Sequence, residues 1–299
     1  MFRIVDTRKV GLNIRQFVIE APRIASKQRP GQFVILRLHD RGERIPLTIK
    51  SSDPAAGTVT LVVQAVGKTT SLMNCLETGD SILDLAGPLG HPSEIRNYGT
   101  VAIVAGSVGT AMALPTGKAL KLAGNHVIFI EGARTSEMVI FEEEVREASS
   151  EAWIMTDDGS YGERGMVTAK LNELLAAGRK IDLVLAVGPV PMMHAVARIT
   201  VPLGIKTVVS LNSIMVDGTG MCGGCRVLLG QQSKFACVDG PEFDASLVNF
   251  DVLMKRNSMY RRKECAALAE FEAHKDDEVA ELRAEIAAHG LTGDGAHGA

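Results

Sequence analysis

Three cysteines fall within sixteen positions of the stretch MVDGTGMCGGCRVLLGQQSKFAC, residues Met215 to Cys237. Cys222-x-x-Cys225 followed by a distal Cys237 supplies three thiolates, a pattern suited to zinc or to an iron–sulfur cluster. Either site normally takes four protein ligands. The plant-type ferredoxin spacing is Cys-x4-Cys-x2-Cys with a distant fourth cysteine, and five positions before Cys222 stands Asp217. Asp217, Cys222, Cys225 and Cys237 therefore form a candidate [2Fe–2S] site in which a carboxylate replaces one thiolate. A carboxylate keeps the ligand charge but is a harder donor, so it is expected to tune the reduction potential. A Cys₃Asp zinc staple is the alternative left open by spacing alone. Glycines at 218, 220, 223 and 224 let the loop wrap closely and aim amides at sulfur. Cys75 and Cys265 have no clustered partners and read as idle thiols.

A second set of residues suits a dinucleotide. In VAIVAGSVGTAMA an apolar strand runs into Gly106-x-x-Gly109-Thr110 and then a helix. Small residues there let backbone amides approach a pyrophosphate, although a plain tight turn fits the same letters. Three more strand ends carry polar loops: EGART with Glu131, Arg134 and Thr135, TDDGSYG with Asp158 and Gly159, and VGPVPMM with Gly188, Pro189 and Met192. In open α/β sheets ligands lie along the carboxyl ends of strands, so these loops are expected to converge. Glu131 suits a ribose hydroxyl and Arg134 a 2′-phosphate, which leaves NAD(H) and NADP(H) both open. No general acid or base is expected; His91, His126 and His194 read as surface or packing residues.

The elements that must position these groups follow from composition and rhythm. At 299 residues and 46% hydrophobic the chain is long enough for about two cored domains. A net charge of -3 argues against a nucleic-acid partner, and no apolar run is long enough for a membrane span. Five cysteines with no secretory start point to a reducing, cytoplasmic setting. Residues 1–97 carry short β-branched runs broken by Pro-Gly and Asp-Pro turns, which predicts a small β-barrel. Residues 98–210 alternate strands and helices, including SEMVIFEEEVREAS as one helix, and predict a doubly wound parallel sheet. Residues 211–245 read as a metal-ordered module, and 246–299 as a helical extension ending in a frayed tail, LTGDGAHGA.

A barrel followed by such an α/β unit resembles the ferredoxin–NADP reductase superfamily. Its flavin motif, Arg-x-Tyr-Ser/Thr, is here Arg44-Ile45-Pro46-Leu47-Thr48. Proline in the tyrosine position resembles the electron-transfer subunit of dihydroorotate dehydrogenase. That resemblance implies FAD, with Arg44 facing its phosphates and Pro46, Leu47 and Thr48 along the isoalloxazine. Gly67-Lys68-Thr69-Thr70 would then hold the pyrophosphate, while an edge-strand proline and an ordinary helix cap fit the same residues. The aspartate departs from the four cysteines of that subunit. VDGTGMCGGCRV and the segment from ACVDGPEF to YRRKE instead resemble the small (alpha) subunit of NADH-dependent reduced ferredoxin:NADP oxidoreductase and of sulfide dehydrogenase. This implies a heterodimer with a larger flavoprotein resembling the glutamate synthase small subunit, ferredoxin reached through the complex, and electron bifurcation. The run MKRNSMYRRKE would dock on that partner or be a solvated face.

Overall fold

A computed structural model describes residues 1–292; of the expected tail, residues 293–299 lie outside the described residues. The first seven strands are β1 (Phe2–Gly11), β2 (Ile14–Glu20), β3 (Phe33–Arg37), β4 (Arg44–Asp53), β5 (Thr58–Gln64), β6 (Ser81–Ile82) and β7 (Asp84–Leu89), with short helices α1 (Pro22–Ala25) and α2 (Lys68–Met73) between them. They form one sheet in the order β6-β1-β2-β5-β4-β3-β7. Alternation turns Phe17, Ile19, Leu36, Ile49 and Leu61 into a common core. β4 is paired unevenly. Along β3, Ile35 faces Pro46, Val34 faces Leu47 and Phe33 faces Thr48. Against β5 the pairing begins only at Ile49. Pro46, which has no N–H to donate, thus lies where one edge of β4 has no neighbouring strand.

The α/β unit runs β8 (Thr100–Gly106), α3 (Gly109–Leu122), β9 (His126–Ala133), α4 (Glu142–Ala148), β10 (Glu151–Thr156), β11 (Glu163–Arg164), α5 (Val167–Ala176), β12 (Leu183–Val187), α6 (Val190–Thr200) and β13 (Lys206–Ser210). Its sheet order is β11-β10-β9-β8-β12-β13-β16, where β16 (Glu242–Asp244) closes the edge antiparallel. The order reverses between β8 and β12, which is where open parallel sheets place ligands. The segment SEMVIFEEEVREAS departs from the single helix expected: a 3-10 turn at Ser136–Met138 and an extended link precede α4. The link is held in a seam between the two units, where Ile140 packs with Ala111 against Ile14 and Val62 of the barrel. Leu12 N donates to Glu137 O at 2.8 Å in the same seam. Lys50 reaches across to Glu144 at 2.6 Å, over the Phe141 ring at 4.1 Å.

The cysteine segment contains a hairpin, β14 (Arg226–Leu229) and β15 (Gln232–Phe235), and a turn of helix α7 (Ala236–Asp239) before β16. Three helices end the described chain: α8 (Phe250–Asn257), α9 (Arg261–Ala273) and α10 (Lys275–Thr292). The expected helical character is present, but the apolar residues of α9 and α10 pack on this chain's own barrel. Phe271 and Leu282 enter its core at 2% and 3% exposure. Ion pairs Lys68–Glu278 (2.6 Å) and Arg283–Asp80 (3.2 Å) flank them, while Arg261, Arg262 and Lys263 of the basic run stay exposed. Phe271→Ala is expected to cost about 3–5 kcal/mol of this docking. Limited proteolysis would register it as faster cutting between Ser258 and Lys275. No described helix is long and apolar enough to cross a membrane.

Candidate functional site

Asp217, Cys222 and Cys225 lie in one loop and Cys237 in α7 beyond the hairpin, and the four side chains do not meet as a closed set. Among the described residues no three His, Cys, Asp or Glu groups converge as a metal site. The Sγ atoms of Cys225 and Cys237 are buried 3.2 Å apart, whereas Cys222 is exposed. Asp217, expected as the fourth ligand, turns its Oδ1 to the Thr219 amide and its Oδ2 to the Cys222 amide, both at 2.8 Å. A carboxylate beside free loop amides accepts from them first, and the Thr219 and Cys222 amides hold it below the usual aspartate range. Burial, then the Cys225 thiol, pushes Cys237 up to about 12.

The donors and their surroundings nevertheless fit an iron–sulfur group. Amides approach the sulfurs: Gly224 N lies 3.4 Å from Cys222 Sγ, and Cys237 N lies 3.5 Å from Cys225 Sγ. Such contacts stabilise thiolates and set cluster potentials. Gly218 shows why glycine is needed in the loop. Its φ is +77°, and a Cβ would stand 2.6 Å from Leu89 Cδ1 and 3.0 Å from Ile35 Cγ1. The cluster loop thus lies directly on β3 and β7, beside the residue that pairs with Pro46.

The flavin motif lies on β4, and the following Gly67–Thr70 turn opens α2. Arg44 is exposed at the start of β4, and Pro46, Leu47 and Thr48 follow along the edge that β5 leaves open. In Gly67–Thr70 the side chains are committed elsewhere. Lys68 pairs with Glu278, Thr69 Oγ1 donates to Glu43 Oε2 at 2.7 Å, and Thr70 Oγ1 accepts from the Val66 and Gly67 amides at 3.0 Å. Gly67, rather than Thr69 or Thr70, is the helix N-cap, and Thr70 bonds back to it from the third helical position.

The nicotinamide loops divide into two groups. Gly106, Gly188, Pro189 and Met192 meet at the switch between β8 and β12; a Cβ on Gly106 would lie 2.7 Å from Met192 Sδ and 3.2 Å from Pro189 Cδ. The loops bearing Arg134, Thr135, Asp158 and Gly159 also meet, through Asp158 N to Arg134 O at 3.3 Å. Arg134 is exposed, whereas Asp158 Oδ1 folds onto the Ser160 amide and hydroxyl. Thr110 and Glu131 require correction, and Gly109 has a packing reason of its own. A Cβ on Gly109 would lie 2.3 Å from Val187 O, so this glycine permits helix–strand contact. Thr110 and Glu131 are 0% exposed and cannot meet a ribose or phosphate without rearrangement. Glu131 Oε1 instead accepts from Ile140 N at 3.0 Å, securing the seam link. The Thr110 hydroxyl lies beside the same carboxyl, and burial, opposed by the Ile140 amide and by Thr110, pushes Glu131 up to about 7. The sequence reading missed the seam contacts of Lys50 and the bond from Ser107 Oγ to Gln64 Oε1 at 3.2 Å; neither has a local signal. His194 stacks on Phe250, ring centroids 4.8 Å apart, and His126 lies 2.7 Å from Glu151, as surface or packing histidines do.

Comparisons with known proteins agree with this arrangement. Residues 1–93 match the oxidoreductase FAD-binding domain, and residues 212–249 the iron–sulfur cluster binding domain of dihydroorotate dehydrogenase B. A Thermotoga maritima protein named dihydroorotate dehydrogenase B (NAD(+)), electron transfer subunit homolog is 48% identical over 261 residues, covering 87% of this chain and 92% of its own. The chain belongs to the family of dihydroorotate dehydrogenase B electron-transfer subunits and their homologues. The Bacillus velezensis electron-transfer subunit is a more distant member, 31% identical over 82% of this chain and 96% of its own. Among solved structures, one from the NADH-dependent reduced ferredoxin–NADP oxidoreductase superposes with a TM-score of 0.86 at 44% identity, covering 91% of this chain and 98% of that one. The ferredoxin reductase of carbazole 1,9a-dioxygenase shares the fold at 18% identity, with a TM-score of 0.57 over 68% of this chain and 64% of its own. The chain combines a ferredoxin–NADP reductase-like FAD-binding barrel with an iron–sulfur cluster binding segment.

Proposed function

We propose that this chain is an electron-transfer flavoprotein subunit working between NAD(H), FAD and a [2Fe–2S] cluster, inside a ferredoxin-dependent, bifurcating NAD(P) transhydrogenase or sulfide dehydrogenase complex. The observation that carries the reading is the seating of Gly218 on Ile35, because Ile35 is the register partner of Pro46. The cluster loop thus sits on β3, the strand that pairs with the flavin strand β4. When bound, nicotinamide supplies two-electron hydride chemistry, a [2Fe–2S] cluster one-electron steps, and FAD the exchange between them.

This chain's residues position those groups. Arg44 offers an exposed guanidinium to the flavin phosphates, and Pro46, Leu47 and Thr48 offer an open strand edge to the ring. Gly106 and Gly188, with the Pro189 and Met192 side chains packed against them, form the floor at the switch point, and Arg134 with Thr135, Asp158 and Gly159 forms its outer rim. Asp217, Cys222, Cys225 and Cys237 hold the cluster. The solved NADH-dependent relative supports NAD(H); Glu131, being buried, does not bear on the choice, and Arg134 keeps NADP(H) as the arm to test. The partner is a larger flavoprotein subunit resembling the glutamate synthase small subunit, through which ferredoxin is reached. A second reading, electron transfer to a dihydroorotate dehydrogenase, is favoured by the cluster-domain match and opposed by Asp217.

Anaerobically purified protein is expected to show flavin bands and a broad charge-transfer shoulder that both bleach with NADH, more slowly with NADPH. A colourless, zinc-containing sample would overturn the proposal. The subunit that co-purifies, a glutamate-synthase-like flavoprotein or a dihydroorotate-oxidising one, separates the two readings.

A further inference from the structure

A cavity of about 610 Å³ opens where every segment of the chain meets. Its wall includes Val66 from the barrel, Pro189 from the switch-point turn, Asn212 from the start of the cysteine segment, and Asn257, Arg261 and Glu264 from the C-terminal helices. That volume falls in the range of small-molecule sites, roughly 300–1,000 Å³. The carboxamides, a guanidinium and a carboxylate beside apolar walls suit a dinucleotide, which is part aromatic, part hydroxylic and part anionic. Neither matched family domain extends to α9 or α10.

The cation at this wall is the informative group. Lys68, the basic residue of the expected pyrophosphate loop, is held by Glu278 at 2.6 Å. Arg261 is exposed, lines the cavity, and has no side-chain hydrogen bond or ion pair among the described residues. Guanidinium is the side-chain group best matched to phosphate oxygens, which it can grip in pairs. The helix carrying it is fixed to the barrel by Phe271, and the following helix by Leu282, Arg283–Asp80 and a bond from the Asp40 amide to Glu285 Oε1 at 2.7 Å. We propose that α9 is a wall of the flavin site, that Arg261 binds the diphosphate of FAD, and that Lys68 serves to bolt α10 to the barrel. The Asn257 Oδ1, its Nδ2 being held by Asn212 O at 3.0 Å, and Glu264 then offer acceptors to the carbohydrate hydroxyls of the same ligand. This rests on the reading that the barrel binds FAD.

The test uses the full chain stripped of flavin and titrated with FAD, binding being read from flavin fluorescence, with NADH titrated separately. Arg261→Ala is expected to raise the Kd for FAD about tenfold to a hundredfold, the loss of one or two charged hydrogen bonds. Arg261→Lys is expected to recover part of that loss, and Lys68→Met to change the Kd little. Because Arg261 is exposed, unfolding should not obscure the result; circular dichroism melting checks this. Wild-type FAD affinity in Arg261→Ala overturns the proposal, and a rise confined to the NADH Kd reassigns the wall to the nicotinamide coenzyme and overturns it too. A wild-type chain that binds no FAD at all defeats the underlying flavin reading instead.

Discussion

Cys225→Ser is expected to leave less than about a tenth of the wild-type iron, because an internal thiolate ligand contributes directly to the folding energy of its loop. Cys225 is 1% exposed, its sulfur lies 3.2 Å from Cys237, and the amide of Cys237 points at it. No other thiol in the segment can replace it, and serine is a poor ligand for iron at neutral pH. Iron analysis and the visible spectrum of anaerobic protein check the result, and protease should then cut between residues 212 and 249 faster than in wild type. Cys75→Ser is the control; its thiol is occupied by Ser71 O at 3.4 Å, and iron should be retained. Asp217→Cys is expected to keep the cluster and shift its potential, since the hard oxygen donor is exchanged for a soft one. Full iron in Cys225→Ser would remove the ligand assignment, and an unchanged potential in Asp217→Cys would remove the tuning role of Asp217.

Glu131→Gln is expected to stabilise the protein above neutral pH by up to about 3 kcal/mol. Burial raises Glu131 from 4.5 to about 7. The folded state therefore holds a proton that the unfolded chain releases, so this group's contribution is fully favourable below about 4.5 and is lost as pH rises through 7. Glutamine keeps an acceptor for Ile140 N and a hydrogen-bonding group beside the Thr110 hydroxyl. Urea unfolding at pH 5 and pH 8 isolates the effect. The variant and wild type should converge at the lower pH and separate at the higher; parallel behaviour at both would show that the carboxylate is solvated or paired.

Glu131 also shows where sequence reading ended. HVIFIEGA is buried on both faces of a parallel sheet, so no alternation marks which side a final charge will take. Its position at a strand end suggested a ligand role, and the packing of Ile140 against the barrel gave it a structural one. Gly109 is a similar case. Composition allowed a phosphate loop, but only the distance to Val187 O shows that the glycine admits close helix–strand contact. In SEMVIFEEEVREAS, helical propensity was outweighed by the seam that draws Ile140 inward.

The order of the two units, the doubly wound sheet, the cysteine spacing and the Arg44–Thr48 strand were all legible, because each is a local pattern of period, turn residue or ligand spacing. The seating of Gly218 on Ile35, the burial of Glu131, the capture of Lys68 by Glu278 and the place of Arg261 in a shared cavity came only with the tertiary structure. Those contacts join residues far apart in the chain, and their energies depend on burial and neighbours that no local stretch encodes.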